Sequence, residues 1–301
     1  MLKYWAFRIA SIIMPLLPFR VGYSVAVFFG DLAYFTARTS RRAVTQNIGK
    51  ALGPEATNGK LNKTVRSVFR NAAKNYLDLL RIPTCDLAHL NGNLAIHGWR
   101  YFEKAKSEGK GVILATAHLG SFDLIAQVLA ARNVGLTVLA EPLKPACLFR
   151  FVTKLRESKG QTFLPLGLPA LKATLRSLRR GGVVAVACDR DILRNGLALP
   201  FFGEETTFPV GAVKLALRTG AAIIPAFSVR RADDRFDLYV EPPLPVTVAG
   251  DHEQSVRQNL PKVITTMEKY IRCHPDQWVV FNPVWMTGKE AIREKNERKT
   301  A

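Results

Sequence analysis

Short runs of small and branched apolar residues alternate with stretches of helical length through the middle of the chain. The runs lack a polar face, which is typical of strands that are buried on both sides of a sheet. They are GVILATA at 111–117, VGLTVLA at 134–140 and GVVAVAC at 182–188. Because helical stretches at about 145–159 and 168–180 separate them, the pattern predicts an α/β fold in which helices cover a mostly parallel sheet.

The remaining elements follow from the same periodicities. An amphipathic helix is predicted from Thr64 to the proline at 83, after a loop-like stretch at 50–62. A short strand, LAIHG, leads into a helix that begins at about Trp99. Helices at about 209–219 and 253–273 and the strands AAIIPAFSV and FDLYVEPPLPV complete the pattern. We predict one catalytic domain at 41–288, followed by a charged tail at 289–301 that is a solvated helix or disordered.

Residues 1–40 differ from this domain because apolar and aromatic side chains dominate them. Charged residues and prolines interrupt the run, and no uncharged stretch reaches the roughly 18 residues of a membrane-spanning helix. A signal peptide is not predicted, because no small-residue cleavage site follows the apolar segment. We therefore predict a retained membrane-associated helical segment that enters or lies in one leaflet. A helical hairpin packed against the domain is the alternative.

The chain contains 43 Lys and Arg against 24 Asp and Glu, a formal net charge of +19. A surface of this charge favours an anionic partner, either nucleic acid or lipid. Nucleic-acid binding would favour basic residues interleaved with stacking aromatics in a known module, and none is recognisable. The apolar N-terminal segment favours lipid. The four cysteines are scattered, which is typical of a reducing compartment, and no zinc or other metal-ligand spacing is present.

The strand at 111–117 ends in the polar cluster HLGSFD, in which four residues separate His118 from Asp123. Ser121 is placed to cap the following helix, with Asp123 in its first turn. A histidine that a carboxylate orients can activate a hydroxyl near neutral pH. The carboxyl end of a strand is where α/β sheets carry their chemistry, so we predict a catalytic site here. In the alternative, Asp123 only caps its helix.

A second polar cluster, DRDILRNG at 189–196, follows the strand at 182–188. The same sheet logic places Asp189 and Arg190 on the rim that holds His118. Asp189 could then orient Arg190, bind acceptor hydroxyls or satisfy strand-end amides. No GxSxG, GxxxxGK[ST], GxGxxG or HExxH motif occurs, and Ser121 is better explained as a cap than as a nucleophile.

Together these motifs resemble the bacterial lipid A lauroyl/myristoyl acyltransferase family, which includes phosphatidylinositol mannoside acyltransferases and shares the H-x4-D/E motif of the lysophospholipid acyltransferase superfamily. The resemblance covers most of the chain. Beside HLGSFD it rests on RRAVTQNIGKALG, RESKG, DRD, PFFGEETTFPVGAVKLALRTGAAIIP and PDQW. Many lipid A enzymes have HxGNWE where this chain has Ser121, Phe122 and Asp123.

The resemblance implies a mixed, mainly parallel sheet flanked by helices, as in glycerolipid acyltransferases, on the cytoplasmic face of the inner membrane. It also implies acyl transfer from acyl carrier protein or acyl coenzyme A to a hydroxyl of an anionic membrane glycolipid, without a cofactor. His118 matches the family's general base, Asp123 its acidic partner, Arg156 an arginine near the active site, and Asp189 the aspartate of the later block.

We therefore expect an O-acyltransferase whose acceptor is of the lipid A precursor type. Phosphatidylinositol mannoside or a lysophospholipid is the alternative acceptor, and a non-catalytic lipid-binding protein is the alternative of a different class. In the expected mechanism His118 takes the acceptor proton, while Arg156 and N–H groups near Gly120 stabilise the oxyanion or bind phosphate. Phe201, Phe202 and Phe208 either line an acyl channel or belong to the core.

Overall fold

A seven-stranded sheet forms the centre of the computed structural model, which describes residues 2–92 and 94–285. Its strands alternate with helices along the chain, as the apolar runs predict. The strands of this sheet are β1 (Leu94–His97), β2 (Val112–Thr116), β3 (Leu136–Ala140), β4 (Thr162–Pro165), β5 (Val183–Ala187), β8 (Ala222–Arg230) and β9 (Phe236–Val240), and a separate hairpin consists of β6 (Leu197–Phe201) and β7 (Glu204–Phe208).

The strand order across the sheet is β1-β9-β8-β2-β5-β3-β4. Neighbours from β8 to β4 are parallel, β9 is antiparallel to β8, and β1 is parallel to β9. The predicted mixed, mainly parallel sheet is therefore confirmed. As a result, the carboxyl ends of β2 and β5 lie next to each other at one edge of the parallel part.

Eleven α-helices accompany the strands within the described residues. They are α1 (Leu2–Ile13), α2 (Phe19–Thr36), α3 (Arg38–Leu52), α4 (Asn58–Arg81), α5 (Leu87–Gly92), α6 (Trp99–Ser107), α7 (Phe122–Ala131), α8 (Ala146–Glu157), α9 (Leu168–Arg179), α10 (Gly211–Thr219) and α11 (His252–Cys273). The helix predicted from Thr64 starts six residues earlier, because the side chain of Thr57 accepts a hydrogen bond from the Lys60 amide and caps it. The predicted loop at 50–62 is correspondingly short.

Each face of the sheet carries its own hydrophobic core. Successive residues of β2 point to opposite faces, so that Val112 joins one core and Ile113 the other. The Ile113 side packs against α3, α4, α10 and α11, and the Val112 side packs against α5, α6, α7 and α8. Burial on both faces explains why the strand sequences are uniformly apolar.

The β6–β7 hairpin contributes aromatic residues to the first of these cores. Phe201 and Phe208 are fully buried, and the Phe201 ring stacks on Trp285 with 5.4 Å between centroids. Phe202 is half-buried and packs at the rim of the same group. Phe201 and Phe208 are therefore core residues, as the alternative to a channel lining predicted.

The N-terminal segment is helical, and α2 packs along α4. Gly22, Ala26 and Gly30 form a buried stripe on α2. A Cβ added to Gly30 would lie 2.8 Å from the Arg70 Cα, so the two backbones approach closely. Asp31 accepts hydrogen bonds from both Arg66 and Arg70 of α4. One side of the segment is thus packed against the domain.

The other side of the segment exposes large apolar side chains. On α1, the following turn and α2 these are Trp5, Ile9, Ile12, Ile13, Leu16, Phe19, Val21, Phe28, Phe29, Leu32 and Phe35. Within residues 2–92 and 94–285, no helix combines the length and the apolar character that crossing a bilayer requires. The domain boundaries stay predictions, and the tail at 289–301 lies outside the described residues.

Candidate active site

The two predicted polar clusters meet where β2 and β5 end. Thr116 and Ala187, the last residues of the two strands, are paired in register. The Cys188 amide continues this pairing by donating to the Thr116 carbonyl. His118 and Asp189 each follow two residues after their strand, so the sheet brings them to the same point on its rim.

The side chains of His118 and Asp189 form the central pair of the site. The imidazole Nδ1 lies 2.8 Å from Asp189 Oδ1. The other carboxylate oxygen, Oδ2, accepts from the His118 amide at 2.9 Å and from Trp278 Nε1 at 2.9 Å. The Asp189 side chain is fully buried, whereas 25% of the His118 side chain remains accessible. Asp189 therefore holds the histidine by its backbone and its ring together.

Asp189 is ionised in this arrangement. Burial alone would raise the pKa of the carboxyl group, but the neighbouring His118 charge and the hydrogen bonds from His118 and Trp278 outweigh burial and lower the pKa to about 2. A buried carboxylate on Nδ1 favours the tautomer that carries its proton there. Since the residues in the described ranges give Nε2 no hydrogen bond, this nitrogen keeps a free lone pair and can accept a proton.

Asp123 has a different partner from the one that the sequence predicts. It is not bonded to His118. Its carboxylate instead accepts from Arg156 Nη2 at 2.8 Å, and Arg156 Nε also lies 2.8 Å from it. The first turn of α7 directs Asp123 towards the last turn of α8, where Arg156 lies. The prediction that Asp123 orients the histidine ring is corrected, because Asp189 occupies that position.

The other predicted residues of the rim are also paired. Arg190 donates to Glu141 at 3.0 Å, so Asp189 does not orient it. Of the roles considered for Asp189, hydrogen bonding to a strand-end amide is present, and the bond to the His118 ring was not foreseen. Asp191 closes the following loop by accepting from the Gly196 amide at 2.8 Å.

Hydrogen bonds fix the backbone of residues 117–121, here called the His118 loop. The His118 carbonyl accepts from Val279, and the Leu119 carbonyl accepts from Ser228 Oγ. The Gly120 carbonyl accepts from Asn75 Nδ2 at 2.6 Å, and the Gly120 amide donates to the Gln277 carbonyl at 3.1 Å. Because its N–H group is already paired, the predicted oxyanion contact from Gly120 itself is corrected.

Ser121 and Cys188 are both excluded as nucleophiles. Ser121 is 1% exposed, and its hydroxyl donates to Asp78 Oδ2 at 2.7 Å. The same bond means that the Ser121 side chain does not cap α7, although the helix begins directly after it. Burial raises the pKa of the Cys188 thiol to about 12, so the reactive thiolate is not formed near neutral pH.

Sequence reasoning missed the residues that support the loop from outside, chiefly Asp78 and Arg230. One signal was available: Asp78 interrupts the apolar run at 77–80 on a helix that is otherwise amphipathic. A carboxylate at such a position requires buried partners. Within residues 2–92 and 94–285, no three His, Cys, Asp or Glu side chains form a group that could hold a metal ion.

The chain is similar to known acyltransferases. The family model described as bacterial lipid A biosynthesis acyltransferase matches residues 1–287. A phosphatidylinositol mannoside acyltransferase of Mycobacterium tuberculosis is 30% identical over 272 residues, covering 88% of this chain and 83% of the relative. A protein of the same name from Mycolicibacterium smegmatis is 28% identical, covering 86% and 84%. A lipid A biosynthesis acyltransferase of Haemophilus influenzae is 22% identical, covering 96% and 90%.

The geometry predicts the tautomer of His118. We expect the neutral ring to carry its proton on Nδ1, because the Asp189 carboxylate accepts from this atom. Long-range proton–nitrogen NMR correlations of the imidazole can identify the protonated nitrogen. In Asp189→Asn this preference should weaken, whereas Asp123→Asn should leave it unchanged. Protonation of Nε2 in the unaltered protein would contradict the assignment.

The backbone of Gly120 predicts a second effect. Its φ is +60°, and an added Cβ would lie 2.3 Å from the Ser228 carbonyl oxygen. Gly120→Ala should therefore lower the free energy of unfolding by more than about 1 kcal/mol, measured by denaturant unfolding. Gly59→Ala is the control, since this helical glycine has no atom within 4 Å of the new Cβ. Equal stability of the two variants would show that the loop rearranges freely.

Proposed function

The chain belongs to the bacterial lipid A biosynthesis acyltransferase family, and from this membership we propose that it moves a fatty acyl chain from a thioester to a hydroxyl of a membrane glycolipid. The observation that carries the proposal is the His118–Asp189 pair at the end of β2, in which 25% of the His118 side chain is accessible. Ser121 and Cys188 have no nucleophilic role in this site. The transfer is therefore direct, without an acyl-enzyme intermediate.

In this mechanism His118 Nε2 takes the proton of the acceptor hydroxyl as its oxygen attacks the thioester carbonyl. The tetrahedral intermediate then collapses, the carbon–sulfur bond breaks, and the leaving thiolate takes the proton from the imidazolium. Asp189 stabilises the imidazolium between these two steps because it remains ionised. The products are the acylated lipid and the free thiol.

Arg156 and Arg190 are the candidate substrate-binding cations. Asp123 orients Arg156 through two close contacts, which directs the guanidinium beside the first turn of α7. A helix N-terminus and a nearby arginine together favour an anionic group, either the oxyanion or a phosphate of the substrate. The roles of Asp123 and Asp189 are thus separate: the former holds a cation and the latter holds the base.

For the acceptor we propose a mannosylated phosphatidylinositol as the first candidate. The mycobacterial relatives that carry this name are 28% and 30% identical, against 22% for the lipid A relative. A lipid A precursor is the second candidate, supported by the family to which the chain belongs. Both acceptors are anionic glycolipids, in keeping with the net charge of +19. Acyl carrier protein or coenzyme A supplies the acyl chain, and no cofactor is required.

We further propose that the apolar face of α1 and α2 lies in the cytoplasmic leaflet of the inner membrane. No other part of the described residues covers this face, whose side chains are exposed, while the opposite side of α2 is packed on α4. Exposed Arg20, Arg38 and Arg42 lie on the same segment or directly after it. Apolar burial and attraction to anionic lipid headgroups act together in such interfacial helices.

The reaction is tested with detergent-solubilised protein, radiolabelled acyl carrier protein or acyl coenzyme A, and three acceptors: phosphatidylinositol mannoside, lipid A precursor and lysophospholipid. We expect transfer to one glycolipid. Turnover should fall by about 10²–10⁴-fold in His118→Ala, which removes the base, and in Asp189→Asn, which removes the carboxylate that stabilises the imidazolium. Transfer to no acceptor, together with intact vesicle binding, would favour a non-catalytic lipid-binding protein. Near-normal turnover in His118→Ala would exclude it as the base.

Membrane attachment is tested by sedimentation with anionic vesicles. Leu16→Ser combined with Phe28→Ser removes side chains that are 80% and 65% exposed, and should weaken binding about 10–100-fold. The control combines Leu168→Ser with Val248→Ser, which are 74% and 80% exposed elsewhere on the molecule. Equal loss of binding in both double variants would contradict a specific role for the N-terminal face.

A further inference from the structure

A buried charged cluster is bonded to the His118 loop through Ser121 and, among the described residues, makes no hydrogen bond with the His118 ring. It consists of Asp78 on α4, Arg230 on β8, Tyr23 on α2 and Ser121 in the loop. These residues are 2%, 6%, 8% and 1% exposed, respectively. A fully buried ion pair is costly to desolvate and is weak evidence for stability, so its retention calls for another explanation.

Asp78 is the centre of this cluster because both of its oxygens are occupied. Oδ1 accepts from the Tyr23 hydroxyl at 2.8 Å. Oδ2 accepts from Ser121 Oγ at 2.7 Å and also from Arg230 Nη2. Arg230 Nη1 donates to the Tyr23 hydroxyl at 3.1 Å, which closes the ring of contacts. One carboxylate thus joins the N-terminal segment to the His118 loop.

A second set of bonds runs from Arg230 to the same loop. Arg230 Nη2 donates to Asn75 Oδ1 at 3.2 Å, and Asn75 in turn donates to the Gly120 carbonyl. The backbone of Arg230 exchanges two hydrogen bonds with the Gln277 side chain. The backbone carbonyl of Gln277 in turn accepts from the Gly120 amide. Gly120 and Ser121 are therefore both held by groups that depend on the position of Arg230.

The protonation states of Tyr23 and Arg230 preserve their hydrogen bonds with Asp78. Burial, followed by the Asp78 charge, raises the pKa of the Tyr23 hydroxyl, which keeps this group a hydrogen-bond donor. Burial would lower the pKa of Arg230, but the Asp78 and Tyr23 contacts outweigh it and raise the value. The cluster therefore keeps the Tyr23 hydroxyl and the Arg230 guanidinium as hydrogen-bond donors near neutral pH. Two of its contacts involve the Tyr23 hydroxyl and therefore require α2 to be packed against α4.

We propose that Asp78 is a positioning residue that couples the packing of α2 against α4 to the geometry of the His118 loop. α2 carries part of the exposed apolar face on its outer side and Tyr23 on its inner side. When α2 is packed against α4, the Tyr23 hydroxyl donates to Oδ1 of Asp78 and leaves Oδ2 of Asp78 directed at Ser121. The kinetic part of this proposal rests on the proposed acyl transfer; the structural part does not.

Replacing Asp78 itself would remove the closest carboxylate from the buried Arg230, because Asp234 lies farther away, 3.5 Å from Nη1, and would endanger folding. The informative variants are Tyr23→Phe and Ser121→Ala, which remove single hydroxyls on opposite sides of the carboxylate. The control is Asp31→Asn, because Asp31 also ties α2 to α4 through Arg66 and Arg70 but has no bond to the cluster. It removes an ion pair between the same two helices, whereas the buried contact at Gly22, Ala26 and Gly30 keeps α2 packed against α4 and the Tyr23 hydroxyl in place.

The first measurement is hydrogen–deuterium exchange of the peptide that covers residues 117–123 in the full-length proteins. We expect faster exchange in Tyr23→Phe and Ser121→Ala than in the unaltered protein, and no change in Asp31→Asn. This readout requires no substrate, so it decides the structural coupling even if none of the tested acceptors is acylated. Unchanged exchange in Tyr23→Phe, or an equal increase in Asp31→Asn, would overturn the proposal.

The second measurement is a double-mutant cycle on turnover. Each single variant should lower kcat roughly 5–30-fold with little change in the KM of the acyl donor, because the base is displaced while the donor site is intact. The double variant should be no slower than the slower single variant, since both hydroxyls act through one carboxylate. Multiplicative losses, or a rise in KM with unchanged kcat, would contradict a positioning role.

Discussion

The candidate active site depends on the buried carboxylate of Asp189. It accepts from the His118 amide, the His118 ring and the Trp278 indole, three donors that come from two distant parts of the chain. These bonds compensate the cost of burying a charge and keep the carboxylate ionised, so that it can stabilise a positively charged imidazole. The adjacency of β2 and β5 is what makes the arrangement possible, because it brings the two strand ends to within hydrogen-bond reach.

Much of the fold can be predicted from local sequence patterns, whereas the carboxylate that contacts the His118 ring cannot. Uniformly apolar strands and amphipathic helices identify a covered parallel sheet, and the polar clusters after β2 and β5 identify the rim. The spacing of HLGSFD favours Asp123 as the partner of His118. Helix α7 turns Asp123 towards Arg156, and sequence spacing carries no information about which of two nearby carboxylates faces the ring. Trp278 could not be predicted for the same reason, since a long-range contact selects it, and the apolar run around Asp78 indicates a buried carboxylate but not its partners.

The N-terminal segment illustrates how one helix can serve two environments. Along α2, glycine and alanine at 22, 26 and 30 allow a backbone approach to α4, while phenylalanines at 28, 29 and 35 face outward. The packing against the domain that the hairpin alternative predicts is therefore present, while the outer side is apolar and membrane association stays a prediction. The cluster around Asp78 lies at the inner boundary between these two roles.

The strand-like contact of residues 277–279 with the His118 loop has a consequence for biosynthesis. The amide of Val279, the carbonyl of Gln277 and the indole of Trp278 are the last supports of the site to leave the ribosome. Until they emerge, the nascent chain contains the sheet, His118 and Asp189 but lacks these three contacts. The candidate site therefore acquires its full set of contacts only after residue 279 has emerged from the ribosome, and a chain terminated before this point would carry the exposed apolar face of α1 and α2 without them.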